Sequence, residues 1–157
     1  MDDLQAYIED VALYFEAQGL PRIAGRIMAL LLTCDPPHRS AKELCEELGV
    51  SKGSVSTMTR LLLASGSIER KSIPGQRTTY FVVRPETLQH KLETRLVQVV
   101  GFRPLAARGL ALLADEPSER TERLQALHAL YAFLEREIPS LLERWHEERD
   151  RLEEARP

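Results

Sequence analysis

The 157-residue sequence has few of the residues from which covalent frameworks and metal sites are built. Its two cysteines, Cys34 and Cys45, lack the Cys-x-x-Cys spacing of a zinc or redox site and are too few for a disulfide framework. The four histidines are scattered without the pairing of metal ligands, and the dispersed glycines form no phosphate-binding loop. The sequence therefore predicts no metal, no cofactor and no enzyme, and we interpret both cysteines as buried small apolar residues.

The sequence also lacks a long hydrophobic run. The longest, at residues 27–32, is much shorter than the roughly 20 apolar residues that cross a bilayer. The acidic residues Asp2 and Asp3 stand where a secretory signal carries basic ones. We therefore expect a cytoplasmic protein that does not bind a membrane.

Positive charge is concentrated in one part of the chain. The formal net charge of the whole protein is -3. Residues 51–84, however, carry six basic side chains and one acidic side chain, a net charge of +5, whereas residues 118–157 have a net charge of -3. A strongly basic segment in an acidic protein favours a surface that binds nucleic acid.

Local signals predict a helix-turn-helix at the start of the basic segment. Ser40 and Glu43 form a capping box that begins a short helix. Gly49 can adopt the positive φ of a tight turn, and Ser51 is a good N-cap for a second helix at residues 52–65. The side chains of this second helix that we expect to face inward are Val55, Met58, Leu61 and Leu62. A small side chain at a close crossing of the two helices would explain a cysteine four residues before the glycine.

Two helices are predicted before this motif and a β-hairpin after it. Apolar spacings of three and four predict helices at residues 3–18 and 21–33, the second with a proline in its first turn. The period then changes, and residues 67–72 and 78–83 are rich in strand-forming side chains. The basic tip of this hairpin, residues 73–77, is placed where a wing would reach a minor groove.

After the hairpin the chain becomes helical again, with helices predicted at residues 86–100 and 104–115. A seven-residue apolar repeat follows, which indicates a face packed on another helix. Because proline disfavours helical geometry at the residue before it, we expect a kink or a break into two helices at Pro139. The dimerisation candidates from this repeat and from the N-terminal helix are Leu4, Ile8, Val11, Phe15, Leu124, Leu127, Tyr131, Leu134, Ile138, Leu141 and Trp145.

The second helix of the motif and the hairpin carry the candidate DNA contacts. Hydroxyls can bond bases or phosphates, and cations neutralise the backbone of the duplex. These residues are Ser51, Lys52, Ser54, Ser56, Thr57, Arg60, Arg70, Lys71 and Arg77. Two readings stay open for Arg22 and Arg26, which either contact phosphate or pair with glutamates and hold the first two helices together.

Four short motifs carry a family resemblance. They are GLPRIAGR (residues 19–26), CDPP (34–37), SKGSVS (51–56) and IPGQR (73–77). With them the chain resembles the GbsR-like branch of the MarR-type winged-helix transcriptional regulators over residues 15–84. The resemblance implies a dimeric prokaryotic cytoplasmic regulator with a recognition helix at residues 52–65 and a wing at 67–83. It also implies DNA contacts at Ser51, Lys52, Ser54, Ser56, Thr57, Arg60 and Arg77.

The predicted fold class is mainly α with a small β-hairpin, a winged helix-turn-helix with N- and C-terminal dimerisation helices. The predicted regions are a dimerisation helix at residues 1–18, the DNA-binding domain at 19–84 and a dimerisation region at 85–157. The predicted function is transcriptional regulation by a homodimer that reads a pseudo-palindromic operator in double-stranded DNA, with an unidentified small-molecule effector left open. The alternative is a winged-helix scaffold that binds a heterologous helix and does not read DNA sequence.

Overall fold

The structure, a computed structural model, describes residues 3–155 and is mainly helical. The chain divides into two units, the first ending at Gln89 and the second beginning at His90. Within the described range its elements are α1 (Asp3–Ala17), α2 (Arg22–Thr33), β1 (Arg39–Ser40), α3 (Ala41–Leu48), α4 (Lys52–Ala64), β2 (Glu69–Ser72), β3 (Thr79–Val82), α5 (Pro85–Val99), a short 3-10 helix (Val100–Phe102), α6 (Arg103–Leu112) and α7 (Ser118–Glu154).

The helix boundaries of the first unit follow the local signals in the sequence. Gly19 has a φ of 75° just after α1, which is a conformation that glycine adopts without steric cost. Pro21 is the N-cap of α2, one position before the first-turn placement expected from the sequence. The capping box of α3 is formed: the Glu43 backbone N–H donates to Ser40 Oγ at 3.2 Å, and the Ser40 N–H donates to Glu43 Oε2 at 2.7 Å. These bonds lower the pKa of Glu43.

The sheet has three antiparallel strands in the order β1-β3-β2. The predicted hairpin is its β2–β3 pair, with Lys71 opposite Tyr80. The third strand, β1, was not expected; it pairs Ser40 with Tyr80 on the other side of β3. Two residues are too few to show strand periodicity, so this pairing depends on β3 and not on a local signal.

Helices α1 and α2 cross at very short distance in the first unit. Gly25 lies at the crossing, and a Cβ atom built on it would stand 2.7 Å from Ala12 Cα and 2.9 Å from the Val11 carbonyl oxygen. The α1 side chains Ile8, Val11 and Phe15 pack into the core that α2, α3, α4 and the sheet share. The structure therefore explains the apolar face of α1 by packing within one chain, whereas Leu4 is exposed.

An ion-pair cluster joins the same two helices. Arg26 Nη2 donates to Glu9 Oε2 at 2.8 Å, and Arg22 Nη2 lies 3.3 Å from the same oxygen. The hydrogen bond from Arg26 is the main reason that the pKa of Glu9 is lowered. Of the two interpretations of Arg22 and Arg26, the structure shows the pairing with glutamate, which holds α1 to α2.

The second unit is built on the packing of α6 against α7. Gly109 faces Leu124, Phe102 stacks obliquely on Tyr131 with ring centroids 5.4 Å apart, and Ile138 is buried. Several apolar side chains of this unit's helices nevertheless remain exposed. They include Leu92, Leu96, Leu105, Leu112, Leu127, Leu130, Phe133 and Leu141.

Of the two outcomes expected at Pro139, a kink or a break, the break does not occur, because α7 runs through this residue as one helix of 37 residues. Proline removes one backbone hydrogen bond, and burial of the preceding Ile138 compensates by holding this turn against the rest of the unit. Helix α6 ends at Leu112, three residues earlier than expected. No helix among residues 3–155 is long and apolar enough to cross a membrane.

Candidate nucleic-acid interface

The helix-turn-helix is formed by α3, a glycine turn and α4. Gly49 has a left-handed conformation with a φ of 63°, and its N–H donates to the carbonyl of Cys45 at the end of α3. Ser51 then caps α4, accepting the Ser54 N–H at 3.1 Å. The turn and its cap thus position α4 relative to α3 through backbone geometry.

One face of α4 packs into the core and the other faces solvent. Val55, Thr59 and Leu62 are buried, and the Thr59 hydroxyl donates to the Val55 carbonyl at 2.8 Å. The expectation that Leu61 faces inward was wrong, since this side chain is 38% exposed. At 100° per residue, position 61 lies about 100° from position 62 and about 120° from position 55, and Thr59 takes the inward position instead.

Most of the candidate contacts on α4 are exposed. Lys52, Ser56, Thr57 and Arg60 lie on the solvent side, and Arg60 Nε donates to the Ser56 carbonyl at 3.3 Å. Side chains at this spacing share a helix face that can enter a groove of a duplex.

Ser51 and Ser54 have a structural role in addition to being candidate DNA contacts. Their hydroxyl oxygens lie 3.0 Å apart, and Ser51 Oγ also accepts the Ser54 backbone N–H. These hydroxyls complete the N-terminus of α4, where unpaired backbone donors need partners. Whatever they contact outside the chain, they also stabilise the helix.

The wing carries three candidate cations. Arg77 is exposed at the end of the hairpin tip, and Arg70 and Lys71 are adjacent on β2. Because successive side chains of a strand point to opposite faces, Arg70 and Lys71 do not lie on the same side of the sheet. A duplex that contacts one face of the wing can therefore meet only one of these two side chains.

The candidate cations have no carboxylate partners. Within residues 3–155, none of Lys52, Arg60, Arg70, Lys71 and Arg77 forms an ion pair. The single acid of this segment is already neutralised: Glu69 lies 2.8 Å from Arg84 Nε and accepts the Thr87 hydroxyl at 2.6 Å. The positive charge of this surface is therefore available to an external anion.

Cys45 is half-buried and borders open space. It lines a cavity of about 400 Å³ together with Ala41, Lys42, Lys52 and Ser56. Cys45 also packs against the core of the first unit, so it is half-buried and not fully buried as expected. Cys34 is half-buried as well, and burial raises the pKa of its thiol.

Arg39 orders the site although no sequence pattern indicates it. Its guanidinium lies 2.6 Å from Glu47 Oε1 on α3 and donates to the carbonyls of Pro36 and His38 at 2.8 and 2.9 Å. These bonds tie the loop before β1 to α3 and keep the orientation of the helix-turn-helix. No local pattern indicates this role, because the partners are assembled only by the fold.

Tyr80, on β3, is a second residue of the site that was not expected from the sequence. Its hydroxyl donates to the side-chain oxygen of Gln76 at the wing tip, and its ring meets His38 edge to face. Gln76 was noted only as part of the IPGQR motif, and Tyr80 had no predicted role. Neither residue was therefore expected to act in the site.

The architecture and the surface together define a class of protein. A capped helix-turn-helix lies between the first strand and the hairpin of a three-stranded sheet, and the hairpin carries unpaired cations, which is the arrangement of winged-helix DNA-binding proteins. Among the described residues, no group of three or more His, Cys, Asp or Glu side chains is placed to hold a metal.

Comparisons with known proteins specify the family. Residues 18–77 match the model of the MarR family, and residues 88–149 match that of the MmpR5-like MarR family transcriptional regulators. The HTH-type transcriptional regulator MmpR5 of Mycobacterium tuberculosis is 36% identical over 143 residues, which cover 91% of this chain and 87% of that protein. This chain belongs to the MarR family of transcriptional regulators, whose members are DNA-binding proteins and not enzymes.

Two solved structures are similar to this chain to different degrees. A crystal structure of a transcriptional regulator matches with a TM-score of 0.71 and 36% identity, covering 92% of this chain and 99% of that one. A mutant MarR from E. coli complexed with operator DNA matches with a TM-score of 0.41 and 15% identity, over 79% of this chain and 84% of that one.

Proposed function

We propose that this regulator binds a pseudo-palindromic operator as a homodimer, with α4 in the major groove and the wing tip at the adjacent minor groove. The observation that carries the proposal is the set of unpaired cations on α4 and the wing of an otherwise acidic protein. Phosphate neutralisation supplies much of the affinity of such proteins, and the exposed polar side chains of α4 are the candidates for base contacts. Placement in the GbsR-like branch stays a prediction that rests on the four sequence motifs.

The homodimer is supported by apolar surface that one chain leaves uncovered. Leu127 and Leu141 of α7 are exposed at 40% and 46%, and other large apolar side chains of the second unit accompany them. Exposed apolar side chains on several helices are typical of a protein–protein interface. In a two-fold dimer each subunit presents one α4, so the two half-sites are separated by about 10 base pairs.

Arg77→Ala tests the contact of the wing with DNA. We expect weaker binding to every duplex and a decrease of about one in the slope of log K against log salt, because one phosphate neutralisation is lost. Fluorescence anisotropy over a salt series measures both quantities. Arg151→Ala is the matched control, since it removes an equal charge from the exposed end of α7. Unchanged affinity and slope in Arg77→Ala would contradict the contact.

Thr57→Ala tests base reading by α4 in the same assay. The expected change is a preference altered at one or two base pairs by about 1 to 3 kcal/mol, because a base contact discriminates between sequences. Selection from random duplexes at about 150 mM salt supplies the operator. An equal loss on all sequences would contradict base reading, and failure to enrich any inverted repeat would favour the scaffold alternative.

The dimer is tested by sedimentation of the full chain. We expect a dimer at micromolar concentration and a shift towards monomer for Leu141→Glu, because the substitution places a charge in an apolar contact. Leu32→Glu on α2 is the matched control, since Leu32 is similarly exposed, at 49%, but outside the candidate interface. A monomeric wild-type protein would refute the dimer.

A further inference from the structure

The backbone of the wing tip is fixed by a turn, while its functional side chains extend into solvent. The Gln76 N–H donates to the Ile73 carbonyl at 3.0 Å, and Gly75 has a φ of 81°. Proline followed by glycine at the two central positions is the sequence of a type II turn. The turn sets the path of the chain but does not fix the side chains of Gln76 and Arg77, which are exposed.

Tyr80 connects this tip to the stem of the wing. Its hydroxyl donates to Oε1 of Gln76, four residues earlier in the hairpin. Its backbone lies on the central strand β3, between Ser40 on β1 and Lys71 on β2. One residue therefore pairs through its backbone with both neighbouring strands and reaches the tip with its side chain.

The ring of Tyr80 is held from a second direction. His38 meets it edge to face, with ring centroids 4.8 Å apart and an interplanar angle of 83°. His38 precedes β1, in the loop that Arg39 ties to α3. This contact joins the wing to the helix-turn-helix, and the hydroxyl of Tyr80 extends from there to the tip.

A purely structural role accounts poorly for the Tyr80–Gln76 bond. The bond is exposed, so water competes for both groups and the net gain in stability is small. Its local consequence is larger, since it restricts the residue directly before Arg77. Restricting a binding side chain before it meets its partner reduces the entropy lost on association.

We propose that Tyr80 is a positioning residue for DNA binding, which acts by holding Gln76 so that Arg77 is presented to the duplex. The inference rests on the proposed contact of Arg77 with DNA. Tyr80 itself does not touch the DNA in this proposal, and its effect passes through the wing tip.

The test is a double-substitution cycle with the full chain and one duplex selected by the wild-type protein. Tyr80→Phe removes the hydroxyl and keeps the ring that packs on His38. We expect it to weaken binding about two- to threefold, which corresponds to a hydrogen bond at the weak end of the usual range, with little change in the thermal unfolding midpoint. In the Arg77→Ala background the same substitution should have no further effect, and Gln76→Ala should not add to Tyr80→Phe.

Tyr14→Phe is the matched control, because Tyr14 is an exposed tyrosine of α1 for which no hydrogen bond to its hydroxyl is present among the described residues. Wild-type affinity in Tyr80→Phe, or an equal loss with and without Arg77, would overturn the positioning role. If Arg77→Ala itself leaves affinity and salt slope unchanged, the contact of the wing is refuted and the positioning role is refuted with it. A normal effect of Arg77→Ala with no effect of Tyr80→Phe refutes the positioning role alone.

Discussion

Gly25→Ala tests the close crossing of α1 and α2. The added Cβ would stand 2.7 Å from Ala12 Cα, 2.9 Å from the Val11 carbonyl oxygen and 3.0 Å from Phe15 Cβ. Carbon atoms in good contact are about 3.5 to 4.0 Å apart, so the helices must separate by about 1 Å. Two of the three atoms belong to backbone, and a change of rotamer cannot relieve the clash.

The magnitude follows from two opposing terms. Overpacking of a core costs about 1 to 3 kcal/mol, and a clash with backbone belongs at the upper end of that range. Alanine is more favourable than glycine inside a helix by about 1 kcal/mol. We therefore expect the free energy of unfolding to fall by about 2 kcal/mol.

Urea denaturation followed by circular dichroism, at a fixed protein concentration, measures this change. Two other helical glycines calibrate it. Gly53→Ala meets only Ser51 Oγ, at 3.8 Å, and should be neutral or slightly stabilising. Gly109→Ala meets the flexible end of Leu124 at 3.0 Å and should fall between the two. A Gly25→Ala protein as stable as the wild type would refute the close crossing.

Two further predictions concern stability. Glu9→Gln should lower the free energy of unfolding by about 1 kcal/mol at neutral pH, because it removes the charge that Arg26 binds. Since folding lowers the pKa of Glu9, this stabilisation is complete above the unfolded pKa of about 4.3 and is lost as the pH falls through the folded value. Urea titrations of both proteins from pH 7 to 3 should converge, and a constant difference would contradict the ion pair. Ser40→Ala should cost about 1 kcal/mol through loss of the α3 cap, measured at neutral pH, and an unchanged midpoint would contradict the capping box.

The parts of the fold that the sequence predicts are those encoded by neighbouring residues. The capping box of Ser40 and Glu43 and the turn at Gly49 involve chemistry within a few positions, and both are found as expected. The pair of strands that forms the wing has the same origin, because strand-forming side chains flank a proline-glycine tip.

The parts that could not be predicted depend on distant partners. Strand β1 has only two residues and exists through its bonds to β3. Arg39 acts through Glu47 and loop carbonyls that only the fold brings together. At Pro139 tertiary packing outweighs the local preference of proline against a continuous helix. Leu61 was expected to face inward because it is hydrophobic, but helix geometry places its side chain on the solvent side.

The residues of α4 divide into two groups with different consequences for DNA binding. Thr57 is exposed and, among the described residues, its side chain has no hydrogen-bond or ion-pair partner, so its removal changes the surface while the core stays intact. Ser51 both caps the helix and belongs to the candidate contacts, so Ser51→Ala also costs about 1 kcal/mol of helix stability. A loss of affinity in Ser51→Ala therefore combines the loss of a DNA contact with the loss of helix stability, whereas a loss in Thr57→Ala reports the contact alone. Ser51→Asp separates them: it keeps a capping oxygen and favours the helix N-terminus, but it places a negative charge against phosphate and should reduce DNA binding while stability is retained.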